Sequence, residues 1–538
     1  KPNFQFVLDS LASKDTTSTA TLDLRINSLI IRHSSVSYDR YDRPQTAGIF
    51  NPNHLKINDI SSDIILKALS EDSLNVNIKR LSFKEQSGLN LKKLSLHYEG
   101  GKYSSRLTDF MLRMPGTNFQ LGDIEASYRF RSDHFVMPSL RYTGSIKPST
   151  ITLSDLSCLL PSLNTFQSTL SLASNFHGEG ETLDIPMLTI GSTTGDIAIN
   201  IGGWAKGLRD SLPSWNVDIR DLALSAKTVS FISENLQGQR IQVPQELVRM
   251  GNIHLRGHAQ GKGINRIETH NQLQTDAGSV NMTMAIDEKR HFNGHIDTKE
   301  FSLKKVLDDE QFGTLSTDID LSGQLPDGQP LIVKADGIVH QFEFKGYNYQ
   351  HIDIDGLYSP TDIHGHASID DANIGLVVDG SILQRGKQHN VKLEATFANL
   401  SPKAINLTDQ WDEARFFGDI KADFLASDLN DAVGTIDVNE FSMQGHNTSY
   451  DLDELHIESG YDGDIHYVTM TSDFGEAAIR GDFDYKTLPQ SFTNFLATRM
   501  STIPGLPSID TSVHNNFSIQ ATIRKSDWVE RLLRVPFF

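Results

Sequence analysis

The run Asp196-Ile197-Ala198-Ile199-Asn200-Ile201 decides how the rest of the chain is read. Isoleucine at every second position puts three side chains on one side of an extended strand, with Asp196, Ala198 and Asn200 on the other. The same alternation returns at Leu74, Val76 and Ile78 among Asn75, Asn77 and Lys79. Met282, Met284 and Ile286 alternate with Asn281, Thr283 and Ala285, and Ile352 and Ile354 sit between His351, Asp353 and Asp355. Gly, Asn, Asp and Ser fill the intervals, and these are turn formers. Sustained 3.6 periodicity is rare. The pattern predicts strand after strand in short meanders, paired antiparallel.

Composition bounds what such a sheet can be. The chain has 538 residues, enough for three or four average domains. Hydrophobic residues make up 38%, which excludes both a membrane-embedded bundle and wholesale disorder. Lys+Arg 49 against Asp+Glu 68 gives a formal charge of −19, which repels nucleic-acid phosphates and bare anionic lipid surfaces. The single cysteine, Cys158, excludes an intrachain disulfide and any cysteine-based zinc cluster. No apolar run reaches ~18 residues, so no segment is read as a bilayer-spanning helix. A start at Lys1 rather than Met suggests a piece of a longer protein, with any anchor or signal outside it.

Two repeats stand out. Gly122-Asp-Ile, Gly195-Asp-Ile, Gly251-Asn-Ile, Gly418-Asp-Ile, Gly463-Asp-Ile and Gly481-Asp-Phe share one form, read as hairpin chemistry that opens a strand. An apolar residue followed by serine recurs at Leu153-Ser154, Leu224-Ser225, Phe301-Ser302 and Leu400-Ser401, with serine spacings of 71, 77 and 99 residues. Each serine is a candidate N-cap for a short helical turn. The spacing is too irregular for a strict solenoid. It suggests loosely repeated modules stacked into one sheet: an N-terminal segment 1–150, modules 151–223, 224–300 and 301–399, and a C-terminal segment 400–538.

Helix candidates are few: Pro244 to Met250 stopped by Gly251, Leu488 to Met500, and Asp527 to Arg534. They cannot cover a sheet made from most of the chain, and no linker marks compact sandwich units. The fold class expected is therefore all-β: an elongated, curved, mostly antiparallel sheet whose apolar face lines its own groove. Such a face is a liability unless the groove holds something greasy. The residues expected to line it are Leu74, Val76, Ile78, Ile197, Ile199, Ile201, Met282, Met284, Ile286, Phe342 and Phe344. The chain-terminal strands, near Phe4–Leu8 and Phe517–Ile523, are expected to be sticky edges.

Catalytic and cofactor signatures are missing. There is no G-x-S-x-G, H-E-x-x-H, Walker A or complete G-x-G-x-x-G. His364-Gly-His366, with His351 and Asp362 nearby, is the only histidine-rich patch and reads as the polar side of a strand rather than a zinc pair. Asp318-Ile-Asp320 and Asp353-Ile-Asp355-Gly356 lack the ligand spacing of a calcium loop. No cofactor, no metal and no enzymatic activity are expected. Aromatic usage, 28 Phe against 13 Tyr and 4 Trp, favours apolar lining over glycan or nucleic-acid stacking. An extracellular adhesin would show Ser/Thr-rich linkers and aromatic loop tips, and the sequence suggests neither.

Several segments resemble the TamB branch of the AsmA-like superfamily, in the form found in Bacteroidota. Phe50-Asn-Pro-Asn-His54-Leu55, followed by Leu81-Ser-Phe-Lys-Glu85-Gln-Ser87-Gly88, is similar to the N-terminal half of that family. Phe312-Gly313-Thr-Leu315-Ser, Gly346-Tyr347-Asn-Tyr349, Asp355-Gly356-Leu-Tyr358, Gly365-His-Ala-Ser-Ile369-Asp370-Asp371 and Ser472-Asp473-Phe474-Gly475, leading into Gly481-Asp-Phe483-Asp-Tyr485, follow the same pattern. The family's N-terminal membrane helix and C-terminal signature domain have no counterpart here. The resemblance implies a periplasmic protein of outer-membrane biogenesis, anchored in the inner membrane by a missing helix. Its partners would be phospholipid acyl chains, moved between the membranes, or an outer-membrane barrel protein, assisted in assembly or secretion.

Overall fold

The computed structural model describes residues 24–525, apart from 47, 71, 133, 167, 237–243, 326–330, 409–413, 446–448 and 500–514. The candidate strand at Phe4–Leu8 and the candidate helix at Asp527–Arg534 lie outside the described residues. Strands take up 68% of the protein and helices 9%, and the curved sheet is antiparallel throughout its recorded pairings. The chain divides into two units, residues 1–244 with 251–264, and 245–250 with 265–538.

In the first unit, Ile26–Asp39 (β1), His54–Ser70 (β2), Ser73–Glu85 (β3), Asn90–Gly101 (β4) and Ser104–Arg113 (β5) each pair with the next. Asn118–Gln120 (β6) and Ile124–Ser127 (β7) are two halves of one broken strand beside β5. Phe130–Arg131 (β8) and His134–Phe135 (β9) form a separate small hairpin. The meander resumes with Arg141–Thr152 (β10), Thr169–Glu179 (β11), Thr182–Ser192 (β12), Ile197–Lys206 (β13), Ser214–Leu224 (β14), a helix Ala226–Leu236 (α1), and Ile253–Lys262 (β15).

The second unit begins with a short helix, Gln245–Arg249 (α2), and continues as Arg266–Thr275 (β16), Gly278–Ile286 (β17), His291–Ser302 (β18), a helix Leu303–Leu307 (α3), Phe312–Gln324 (β19), Ile332–Phe344 (β20), Tyr347–Ser359 (β21), Asp362–Asp371 (β22) and Ile374–Arg385 (β23). It ends with Gln388–Leu400 (β24), Arg415–Ala426 (β25), Val433–Gln444 (β26), Ser449–Asp462 (β27), Ile465–Ser472 (β28), Gly475–Asp482 (β29), a helix Leu488–Arg499 (α4) and Asn516–Ile523 (β30). Every strand pairs with its chain neighbours, so this unit is one uninterrupted meander. At ~4.8 Å per strand its fifteen described strands make a ladder about 70 Å across.

A recurring bulge shapes the main sheet in both units. His33, Asp59, Asp109, Glu300, His351, Asn399 and Glu440 sit inside strands with φ between 47° and 54°. Most mark a slip in the ladder, as between Thr298 and Phe301 or Phe397 and Leu400. A bulge bends its strand and increases local twist, and aligned bulges curl the sheet. They also re-aim the next side chain. Ile57-Asn-Asp59-Ile60, Leu107-Thr-Asp109-Phe110, Tyr349-Gln-His351-Ile352 and Val438-Asn-Glu440-Phe441 each step from apolar to apolar in three residues instead of two, which returns the second residue to the original face.

Beyond the bulges one end of the strands is packed shut. In the second unit Ala277, Phe301 and Val306 form one buried cluster, and Tyr349, Ile374 and Ile405 another. Phe397, Ala414, Phe416 and Met443 form a third, and Leu452 with Phe474 a fourth. The apolar-serine repeat belongs to this end. Phe301 and Leu400 follow bulges, pack into the clusters, and hand the chain to Ser302 and Ser401 as it leaves the strand. Ser302 caps α3 by accepting from the Lys305 N–H, and the Ser225 hydroxyl accepts from the Thr228 N–H at the start of α1. Ser154 lies inside a 3-10 turn and Ser401 opens a non-helical turn, so neither caps a helix.

The glycine repeat splits in two. Gly195, Gly251 and Gly463 sit at turns with φ of 78°, 80° and 63°, as hairpin chemistry requires. Gly418 and Gly481 lie within strands instead, and Gly122 lies in the break between β6 and β7. Close approach explains Gly418, which faces Phe397 directly; a Cβ there would stand 3.2 Å from the Phe397 ring.

Candidate functional site

The cross-strand register shows which side chains share a face, because directly paired residues point to the same side. In the first unit Val76 faces Tyr98, Tyr98 faces Leu107 and Leu107 faces Ile124. Two residues on, Ala126 faces Tyr142, Tyr142 faces Gly178, Gly178 faces Leu183, and Leu183 faces Ala205. Ala205 lies on the same side of β13 as Ile197, Ile199 and Ile201. Leu74, Val76 and Ile78 therefore share a face with the three isoleucines, seven ladder steps away. In the second unit a row runs Met282, Ile296, Ile319, Gly337, Ile354, Ala367, Val378, Ala395, Ile420, Val438, Leu455. Met284, Ile286, Phe342 and Phe344 lie on that side as well.

No second sheet packs on this apolar side among the described residues of either unit, where each strand's main contacts are with its ladder neighbours. Its residues are nonetheless mostly half-buried, while those on the opposite side are mostly exposed, as in the Ile319–Gly323 stretch of β19. The open end is the most exposed: Leu74, Tyr358, Ile363, Ile382, Ile436 and Ile519 range from 36% to 51%. Phe342 and Phe344 sit at the other end, stacked at 6.1 Å and packed with Phe312 and Tyr349. They are part of the closed end rather than the open floor.

The floor is made smooth by aromatic–glycine pairs. Tyr142 lies opposite Gly178, Phe176 opposite Gly144, and Phe292 opposite Gly323. A Cβ on these glycines would come within 2.4–2.8 Å of the facing ring. The ring thus lies flat in the gap its partner leaves. Beside Ile201, an apolar recess of about 220 Å³ is lined by Leu183, Ile185, Leu188, Trp215 and Val217.

The opposite side of the second unit is ionic. One row reads Thr283, His295, Asp320, Asp336, Asp355, His366, Asp379, Glu394, Lys421, Asp437, His456, each directly facing the next. His295 contacts Asp320 at 2.9 Å, His366 Asp379 at 3.0 Å and His456 Asp437 at 2.6 Å, and Lys334 reaches Asp355 at 3.2 Å. Exposed pairs of this kind add at most about 1 kcal/mol each. Their main effect is to keep this face wet and discourage stacking with another sheet. His364 contacts Asp362 at 3.0 Å in the same surface. Among the described residues no group of three or more His, Cys, Asp or Glu side chains is placed to hold a metal ion, and no described helix is long and apolar enough to cross a membrane.

The segments 50–55 and 81–88 meet at the closed end of the first unit. His54 is buried, its Nδ1 3.1 Å from Asp39 and its Nε2 2.8 Å from the Arg43 carbonyl. Gln86 donates to the His54 carbonyl at 2.7 Å. Burial pushes the Glu85 carboxyl up, but hydrogen bonds from the Ser87 hydroxyl and N–H, with those of Lys56 and Gln86, outweigh it and hold the group below its ordinary value. These hydrogen bonds tie the two segments together.

A histidine also enters the apolar face in the second unit. His466 is 5% exposed, sandwiched between Tyr461 and Phe483 at 4.8 Å each, with Ser459 Oγ 2.9 Å from its Nε2. Burial lowers its pKa from 6.5, whereas the hydrogen bond to Asp320 and the charges of Asp318, Asp320 and Asp297 raise that of His295. The two act oppositely. Stability from His295 is present below pH 6.5 and fades as pH rises through its native value. For His466 the unfolded chain takes up a proton that the native site refuses, so stability falls as pH drops below 6.5 and levels off below the native value. Amide exchange across Ser459–Phe483 should therefore accelerate between pH 7 and about pH 5.5 after correction for intrinsic rates, and His466→Phe should remove that acceleration. An unchanged pH response in the variant would show that His466 is not responsible.

No family model, curated protein or solved structure matches this chain.

Proposed function

We propose that the chain is a lipid-carrying segment of an outer-membrane biogenesis factor of the TamB kind. It would work in the periplasm, with its inner-membrane anchor outside this sequence, and hold phospholipid acyl chains on the apolar face of its curved sheet. One observation carries the reading: an apolar face that crosses ladder after ladder in each unit with no layer packed on it among the described residues, against an opposite side that is ionic in the second unit. Covering such a surface with acyl chain gains about 0.8 kcal/mol per buried methylene and needs no specific polar recognition. The resemblance of the segments quoted above supports the same reading.

A second reading has its own support. Among the described residues β1 pairs only with β2, and its Leu29, Ile30, Val36 and Tyr38 are exposed. An unpaired edge of this length can template a nascent strand by β-addition, which would make the protein an assembly factor for a barrel partner. Native mass spectrometry of the purified chain separates the two. Co-purified phospholipid is the expected result. Recovery of the chain with unfolded barrel segments and no lipid would overturn the lipid-carrying reading in favour of assembly.

A further inference from the structure

The −19 charge argues against contact with an anionic membrane, but the charge is not evenly spread. Between β7 and β10 the chain leaves the main sheet to make the hairpin β8–β9, whose sequence is Tyr128-Arg-Phe-Arg-Ser-Asp-His-Phe135. The neighbouring β4–β5 turn contributes Lys102 and Tyr103. Within the hairpin Arg129 and Arg131 outnumber Asp133, while in the adjoining turns Lys102 stands against Asp72, with Glu71 next to it in sequence, so the cluster is balanced in a chain that is strongly acidic overall. The sequence reading anticipated no aromatic loop tip. The structure has one: Phe130 and Phe135 are each 42% exposed, and Tyr103 is 64% exposed.

The tip is built, not frayed. Tyr128, Phe130 and Phe135 form a triangle of rings 5.7–5.8 Å apart. The Tyr128 hydroxyl donates to the carbonyls of Gly101 at 2.8 Å and Ser104 at 3.2 Å, and its N–H donates to the Tyr103 carbonyl at 2.9 Å. The Arg129 N–H donates to Ser139 Oγ at 2.8 Å, and the Val136 N–H to the Arg129 carbonyl at 3.0 Å. These bonds fix the base of the hairpin, whose Phe130 shares a recess with Leu74 and Tyr98 at the end of the apolar face. Lys102 is only loosely engaged, 4.0 Å from Asp72.

Exposed phenylalanine is costly in water. Rings interleaved with cations suit the lipid–water interface, where the rings enter the headgroup layer and the cations meet phosphate. We propose that this hairpin, with the Lys102–Tyr103 turn, docks the protein on the surface of an anionic phospholipid bilayer. Charge range decides against nucleic acid. A bilayer touched tip-first comes within the ~8 Å Debye length of the hairpin and its neighbouring turns only. A polyanion long enough to stack on the rings also meets the acidic remainder of the chain. The docking surface stands next to the open end of the apolar face: Leu74 is 37% exposed there, in a recess of about 730 Å³ that includes Gly100, Ala126 and Tyr142. Docking itself does not require that the face carry lipid.

Vesicle flotation of the full chain tests this. The chain should float with about 3:1 phosphatidylcholine–phosphatidylglycerol vesicles, less so as salt rises, and not with phosphatidylcholine alone. Phe130→Ser with Phe135→Ser, and separately Arg129→Gln with Arg131→Gln, should each weaken binding about tenfold or more, with unchanged circular dichroism. Phe130→Trp supplies a local readout: its emission should move to the blue on adding anionic vesicles and be quenched by brominated lipid. Binding unaffected by both double variants would overturn the proposal. So would capture on heparin with the same arginine dependence while the introduced tryptophan reports no lipid contact, since that marks a simple polyanion patch. Crosslinking from the apolar face reports separately on lipid carriage, so the two ideas fail independently.

Discussion

A photoactivatable residue at Ile199 or Met284 will capture lipid in cells, and one at Asn200 or Thr283 will not. The register makes this contrast sharp. Ile199 faces Ile190 and Leu222, and Met284 faces Thr269 and Gly294, all on the uncovered apolar side, whereas Asn200 faces Thr189 and Asp221 on the other. Neighbours in sequence thus report on opposite surfaces, and a difference between them cannot come from local concentration or labelling chemistry. Ile199→Asp should cut capture from neighbouring apolar-face positions on β12–β14, such as Ile190 and Leu222, by more than tenfold. A carboxylate in an acyl path costs several kcal/mol if it stays dry. The fold should survive, because no packed layer prevents water from reaching the charge. Equal labelling from both sides would remove the apolar face as the binding surface. Labelling of outer-membrane protein alone would move the function to assembly.

Period-2 alternation made the strands legible, and with them the shared face of Leu74, Val76 and Ile78 with Ile197, Ile199 and Ile201, since pleating needs only local sequence. The ends of α2 and α4 were legible for the same reason: Gly251 stops one pattern, and the amphipathic run from Leu488 marks the other. What escaped was position along the strand. Phe342 and Phe344 alternate like any lining pair, yet the bulge at His351 and the turn holding Ile405 place them in a closed cluster. The signal was present in the apolar steps of three, such as Tyr349 to Ile352, but a polar residue at positive φ inside a strand runs against propensity and is easily read as a break. The aromatic tip escaped because nothing local in Tyr128–Phe135 marks it as lying outside the sheet. Only the pairing of β7 with β10 shows that the hairpin between them is left out of the sheet.

Met443→Ala should destabilise the second unit by about 2–5 kcal/mol, while Ile436→Ala on the same strand should cost roughly 1 kcal/mol or less. Both residues point to the apolar face of β26, and the Glu440 bulge lies between them. Met443 is 1% exposed, paired with Phe416 and Tyr450 and packed with Phe397 and Ala414, so truncation leaves a cavity that cannot fill with water. Ile436 is 36% exposed between Ala422 and Ile457, and its loss leaves open surface. Against a typical total of 5–15 kcal/mol the first loss is large and the second small. Hydrogen exchange over β24–β27 in each variant measures both. The lipid readout should invert the order, with Ile436→Ala weakening acyl contact and Met443→Ala sparing it at temperatures where the sheet stays folded. Equal destabilisation would mean that the open face is itself packed core. A sheet that must present a greasy floor to a mobile cargo cannot also draw its stability from that floor. The bulges resolve the conflict: they divide the strands that carry them into an end packed into a cluster and a length with more exposed apolar side chains.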